Sequence, residues 1–274
     1  MKKILISDLD RTLLKDNNSI SERNLNALRK IRDNGIVAVI ATGRNIFSAQ
    51  KVINSNFPID YLIFSSGAGI IDWKTGEIIF KSQLNHKEIK DILNLFLEHD
   101  LDFMIHDEIP NNHYFQYQKT NKINPDFQRR LGIYKNFATP LEIPLIKKTA
   151  SQFIAILGKD SKQKFEQIKV KINNLSVIRA TSPLDHSTIW LEVLPSNISK
   201  SHSTAWLCDK MEILQENSVG IGNDFNDLDL LNWTNKSFVV DNSPDELKKK
   251  FTVTLSNEEN GFAEVMEKLL VDGW

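Results

Sequence analysis

What this 274-residue chain has little of narrows the field first. It holds one cysteine, Cys208, so no disulfide closes within it and the stapled framework of a small secreted domain is excluded. Cys208 follows Trp206 and Leu207 in an amphipathic run, which reads as a buried thiol in a reducing cytoplasm rather than a reactive one. No apolar run approaches the length that crosses a bilayer. The start, Met1-Lys2-Lys3-Ile4-Leu5-Ile6, is basic and then apolar. Ser7-Asp8-Leu9-Asp10 cuts the apolar stretch to three residues, too few for a secretory signal. Neither sign of charge dominates: 34 basic against 35 acidic side chains leave a net −1. A general pull toward nucleic acid or an anionic membrane is therefore not expected, and any anion must be bound locally. Internal repeats and low-complexity tracts are missing too.

What is present is an ordinary soluble balance, 41% hydrophobic and 25% charged, over a length that suits two modest domains. The opening reads strand, loop, helix, strand. Ile4-Leu5-Ile6 is apolar; Leu25, Leu28 and Ile31 recur at helical spacing after Ser21, a candidate cap; Gly35 stops that helix. Ile36-Val37-Ala38-Val39-Ile40 and Tyr61-Leu62-Ile63-Phe64 are continuous apolar strands, the mark of a parallel sheet covered on both faces. Lys74-Thr75-Gly76 reads as a turn between two paired strands. The rhythm returns at the far end with Val219-Gly220-Ile221, a helical stretch from Asn226 to Trp233, Phe238-Val239-Val240 and a last helix from Gly261. Lys248-Lys249-Lys250 reads as a solvated helix end.

The middle has another texture. Ile89, Ile92, Leu93 and Phe96 predict a helix, Phe103–Ile105 and Phe153–Leu157 predict strands, and Thr188–Val193 alternates. That pattern predicts an α+β unit with an antiparallel sheet, inserted into an α/β domain whose two halves flank it.

Four features carry chemistry. Asp8-Leu9-Asp10-Arg11-Thr12-Leu13 follows the first strand, and ligands in open parallel sheets bind outside the carboxyl ends of strands. Two carboxylates pointing the same way repel each other, and magnesium, which takes oxygen ligands, relieves that. On these residues alone, a polar loop capping the next helix fits equally well. Ala41-Thr42-Gly43-Arg44, after the second strand, offers a hydroxyl, an approachable backbone and a cation to a phosphate, or simply a capped strand-to-helix turn. Gly222-Asn223-Asp224-Phe225-Asn226-Asp227 concentrates oxygen ligands after another strand. Lys200 stands where the insertion hands back to the sheet, as a cation for phosphate and carboxylates or as solvated surface.

In this order and these places, the four features resemble the haloacid dehalogenase (HAD) superfamily of phosphohydrolases. The resemblance spans essentially the whole chain. It is closest to the Cof-like sugar-phosphatase branch with a large α/β cap (type IIB) between the second and third motifs, and Asn242 and Glu259-Asn260-Gly261-Phe262 look familiar in the tail. It implies a doubly wound, Rossmann-like core over residues 1–82 and 197–274, with an inserted cap over 83–196 that sets substrate choice. It further implies that Asp8 is the nucleophile, forming an aspartyl-phosphate, and Asp10 the general acid and base. Thr42, Gly43, Arg44 and Lys200 would hold the phosphoryl group. Magnesium (Mg2+) would be held by Asp8, Asp10 and the fourth motif, with Asn223, Asp224 and Asp227 as candidates and Asp227 also a candidate partner for Lys200.

The sequence departs from the family in three places. Arg11 stands where the first motif usually has glycine; Asn223 stands where the fourth usually has aspartate; Ser66 stands for asparagine in the Asn-Gly-Ala segment, where it would lie near the substrate. In the cap, His106, Asn111, Asn112, His113 and Tyr114 form a polar aromatic cluster suited either to a sugar or to contacts within the cap. Zinc at His106 and His113 is disfavoured for want of further ligands. The expected partner is a small-molecule phosphate ester, with no nucleic acid and no membrane, in a cytoplasmic monomer or homodimer. A phosphotransferase or phosphomutase shares the chemistry, and a catalytically impaired binding protein would share the fold. A receiver domain is disfavoured because its phospho-accepting aspartate follows a later strand.

Overall fold

A computed structural model describes residues 2–145, 147–158, 161–182 and 184–273. The chain divides into two compact units, residues 1–80 with 199–274, and residues 81–198.

The first unit opens with β1 (Ile4–Ser7), then α1 (Glu22–Asp33), β2 (Val37–Ala41), the short α2 (Ile46–Ala49), β3 (Tyr61–Phe64), β4 (Gly69–Asp72) and β5 (Ile78–Lys81). Ser21 caps α1 by accepting the Asn24 N–H through its side chain. The helix ends because Gly35 takes φ 69°, letting the Ile36 N–H fold back to the Ile31 carbonyl. β4 runs antiparallel to β3, and the Lys74–Gly76 turn leads into β5.

The second unit contains α3 (His86–Glu98), β6 (Phe103–His106), β7 (Phe115–Gln118), α4 (Pro125–Ile133), β8 (Ala138–Pro140), β9 (Phe153–Gly158), α5 (Lys162–Lys169), β10 (Ser176–Thr181) and β11 (Ile189–Leu194). A reciprocal capping box between Asn85 and Glu88 starts α3. The six strands form one sheet in the order β10-β11-β9-β6-β7-β8, antiparallel except for β7 and β8. Residues alternate between two cores: Phe103, Ile105, Phe153 and Leu191 pack with Ile89, Phe96 and Phe165 from α3 and α5, whereas Met104, Ile154, Ile156 and Trp190 pack with Phe127 of α4. The helix α4 and the strands β8 and β10 are not expected from apolar spacing.

The chain then completes the first unit with α6 (Lys200–Met211), β12 (Ser218–Gly222), α7 (Leu228–Trp233), β13 (Lys236–Val240), α8 (Asp245–Lys248), β14 (Thr252–Thr254) and α9 (Gly261–Asp272). Its sheet order is β14-β13-β12-β1-β2-β3-β4-β5, parallel from β14 to β3. Ile4, Ile6, Val39, Ala41 and Ile63 pack on one face with Leu207 and Cys208 of α6 and Leu230 of α7. The alternate residues Leu5, Ala38, Ile40 and Leu62 are equally buried and face the other way, where α1 and α9 pack together. Both faces are covered, which is why these strands are apolar throughout. Burial also pushes the Cys208 thiol up to about 12, far from a reactive thiolate. Among the described residues, no helix is long and apolar enough to cross a membrane.

Candidate active site

The parallel strands deliver their carboxyl ends to one edge, and the chemistry gathers there. Asp8 follows β1, with its N–H bonded to the Ile221 carbonyl of β12. A five-residue π-turn, Leu9–Leu13, then reverses the chain and closes with the Leu14 N–H on the Leu9 carbonyl. Thr12, inside that turn, donates its hydroxyl to Asp8 Oδ2 over 3.1 Å.

Lys200 is the centre of the site. Ser199 caps α6 by accepting the His202 N–H, and this sets Lys200 at the first position of the helix. Its side chain is fully buried, with Nζ 2.7 Å from Asp8 Oδ1 and 2.6 Å from Asp227 Oδ1. Burial opposes the ammonium, but the Asp227 and Asp8 carboxylates outweigh it and hold the lysine pKa above its ordinary value. Asp8 is pushed up to about 7, first by burial and further by Asp227 and Asp10, while Lys200 pulls the other way. Carboxylates thus outnumber the cation that serves them.

Asp227 is fixed on all sides. Its Oδ2 accepts the Asn223 and Asp224 N–H groups at 2.9 and 3.1 Å. A Cβ on Gly222 would stand 2.6 Å from its Cγ, so only glycine fits there. Its other oxygen accepts from Lys200, so both Asp227 oxygens are engaged by protein donors, as expected of a partner for Lys200. Asp224 turns its side chain back to cap the same turn, accepting the Asp227 N–H. The Asn223 side chain makes no hydrogen bond among the described residues.

Arg44, expected to meet phosphate, pairs with Asp10. Its Nε reaches the two Asp10 oxygens at 3.0 and 2.8 Å, its second nitrogen reaches Oδ1 at 2.6 Å, and Asn18 Oδ1 accepts from that same nitrogen. The fork grips a carboxylate from its own protein. Thr42 is buried, and its hydroxyl accepts the Arg44 N–H. Ser66 lies alongside: its N–H bonds to the Thr42 carbonyl, and it holds φ 54°. Ser66 Oγ and Asn226 Nδ2 lie 3.5 and 3.9 Å from where a Gly43 Cβ would stand, so the three converge. Asn226 Oδ1 is buried without a partner among the described residues. Asn226 lies in the oxygen-rich turn of the fourth motif but is not among the site residues that the sequence singles out.

The cap candidates lie in the second unit. His106 is buried at the end of β6, with Nδ1 on the Asn112 carbonyl over 2.8 Å and Nε2 without a hydrogen-bond partner among the described residues. Burial, with Arg130 and Lys147 adding, pushes its pKa down to about 3. His113 packs against Tyr114 with the rings tilted by 45° and meets Phe137 edge-on, and Tyr114 is the most exposed of these candidates. Among the described residues, no group of three or more histidine, cysteine, aspartate or glutamate side chains stands ready to hold a metal.

Comparison with known proteins gives consistent matches. The sequence profile of haloacid dehalogenase-like hydrolases matches residues 5–266. The 5-amino-6-(5-phospho-D-ribitylamino)uracil phosphatase YwtE of Bacillus subtilis is 25% identical over 290 residues, covering 98% of each chain. A solved HAD-superfamily phosphatase from Bacteroides thetaiotaomicron superposes with a TM-score of 0.81 at 21% identity, over 99% of this chain and 96% of that one. A HAD subclass IIB sugar phosphatase superposes with a TM-score of 0.78 at 18% identity, over 98% and 99%.

Proposed function

Because the chain belongs to the haloacid dehalogenase-like hydrolases, and is with them a phosphatase, we propose that it hydrolyses a small phosphorylated metabolite, a sugar phosphate, through an aspartyl-phosphate on Asp8. The observation that carries this reading is the buried Asp8–Lys200–Asp227 array at the carboxyl edge of the parallel sheet. Lys200, held charged, keeps Asp8 aligned and meets the phosphoryl oxygens as they gather charge. Asp8 attacks phosphorus in line. Asp10 protonates the leaving oxygen, then takes the proton of the water that cleaves the intermediate. Thr42, Gly43 and Asn226 line the phosphoryl pocket, where a buried acceptor oxygen on Asn226 suits a substrate or water hydroxyl.

The site fits magnesium. Burial first, and then the neighbouring Asp227 and Asp10 carboxylates, raise the Asp8 pKa, which a cation beside it would offset, and the donor atoms are all oxygens. The Asp8 carboxylate, the Asp10 carbonyl and the Asn223 side chain would hold the ion, with Asp227 kept by Lys200. When bound, magnesium neutralises phosphoryl charge. The second unit acts as the cap that selects the leaving group, with Tyr114 and His113 its accessible ring pair. The sugar-phosphate class is supported by the solved sugar phosphatase of the same fold.

The test is phosphate release from a panel of phosphorylated sugars with magnesium. Turnover is expected, falling by about a thousandfold or more in Asp8→Asn and on chelation with EDTA. Undiminished release in Asp8→Asn would sink the intermediate.

A further inference from the structure

The turn that carries Asp10 is built on a strained residue. Arg11 has φ 55° and ψ 20°, the left-handed region where a Cβ crowds its own backbone and glycine does not. Its side chain pairs with Asp16 over 3.1 Å, but that pair is partly exposed, and such pairs stabilise little. The backbone has a firmer hold. Asn242, just past β13, donates its Nδ2–H to the Arg11 carbonyl over 2.9 Å. Asn242 is itself fixed, because its Oδ1 accepts the Asn257 N–H over 2.9 Å. Asn257 is buried and donates from Nδ2 to the Leu14 carbonyl and to Asp16 Oδ1, each over 3.1 Å. The middle of the turn and the chain just past its end are therefore gripped by the segment after β13, while Arg44 grips the Asp10 carboxylate.

We propose that Asn242 is a positioning residue for Asp10, holding the left-handed Arg11 peptide and so fixing the direction in which the Asp10 side chain leaves the turn. The inference rests on the reading of Asp10 as general acid. Without the Asn242 donor, Arg11 relaxes toward the conformations a residue with a Cβ prefers, and Asp10, one residue upstream, turns with it. Asn242 meets no reacting atom and acts through the backbone alone. In the first step the loss falls on esters whose leaving group needs a proton and spares those that leave as a stable anion, whereas hydrolysis of the intermediate is common to both.

The experiment measures kcat and KM of the full chain with magnesium on glycerol 3-phosphate and on p-nitrophenyl phosphate. Asn242→Ala removes the clamp; Asn242→Asp removes only the donor and keeps the acceptor for Asn257. Both are expected to lower kcat/KM, which reports formation of the intermediate, by about tenfold or more on the glycerol ester, against less than about threefold on the nitrophenyl ester. Adding Arg11→Gly to Asn242→Ala is expected to restore at least about threefold of the lost turnover, since glycine holds that φ unaided. Equal losses on both esters, absence of rescue, or failure of both single variants to fold would each make Asn242 merely structural and overturn the proposal. Failure of the underlying reading looks different: Asp10→Asn would lower kcat/KM on both esters alike or on neither, and the proposal would fall with it.

Discussion

Lys200 and His106 are buried to nearly the same degree, 0% and 1% exposed, one in each unit, and they come to opposite charge states. Lys200 meets two carboxylates and stays charged; His106 meets a carbonyl, with Arg130 and Lys147 as the charges nearest it, and stays neutral. Burial penalises the charged form of both, so partners decide the outcome. In the first unit they make a site poised around fixed charge. In the second they make a core that contains a histidine.

The comparison breaks most sharply at Lys200. Lys200→Ala leaves Asp8 and Asp227 buried without their cation, and a loss of about 3–5 kcal/mol in urea unfolding is expected together with loss of phosphate release. An unchanged unfolding midpoint would mean that the array is solvated rather than held. Next comes Gly222→Ala, whose added Cβ collides with the Asp227 carboxyl; about 1–3 kcal/mol of destabilisation is expected, with slower turnover as Asp227 is displaced.

His106 sharpens the other half through pH. Its pKa is about 3 in the folded chain against an ordinary 6.5, so the unfolded chain binds the proton first. Stability is full above pH 6.5 and falls toward pH 3, by up to about 1.4 kcal/mol per pH unit. His106→Phe should flatten that slope in urea titrations between pH 6.5 and 4, and an unaltered slope would place the acid sensitivity elsewhere. The smallest effect belongs to Glu264, whose pKa Lys268, Thr254 and the Leu255 N–H lower from 4.5 to about 2. Its contribution is present above pH 4.5 and lost as pH falls toward 2. Glu264→Gln is expected to cost under about 1 kcal/mol, read as a small shift in Tm at neutral pH that vanishes in acid.

Legibility in the sequence followed the range of the interactions. The first unit was readable because strand apolarity, the Ser21 cap and the Gly35 stop are local signals. The helix α4 was not, because its anchor is essentially Phe127 while Arg129, Arg130 and Gly132 interrupt any apolar stripe. Missing α4 hid the fate of His106, which shares a strand face with Met104 and lies under that helix. β14 escaped as a three-residue edge strand. At the site, residue types and order pointed to the edge of the sheet where they meet. The pairing did not: Arg44 reaches Asp10 across 34 positions, and only the folded loops show that Asp227 belongs to Lys200.

Gly67 carries one more consequence. A Cβ there would stand 2.3 Å from the Ser199 carbonyl, and Ser203 donates its hydroxyl to the Gly67 carbonyl over 2.6 Å. The chain shortly before the insertion is thus stitched to the chain immediately after it, and among the described residues the ion-pair partners of Lys200, Asp8 and Asp227, lie in the flanking halves. Residues 81–198 behave as a cassette plugged into a seam that is already sewn. The insertion can therefore change in length or shape while the Asp8–Lys200–Asp227 array keeps its register.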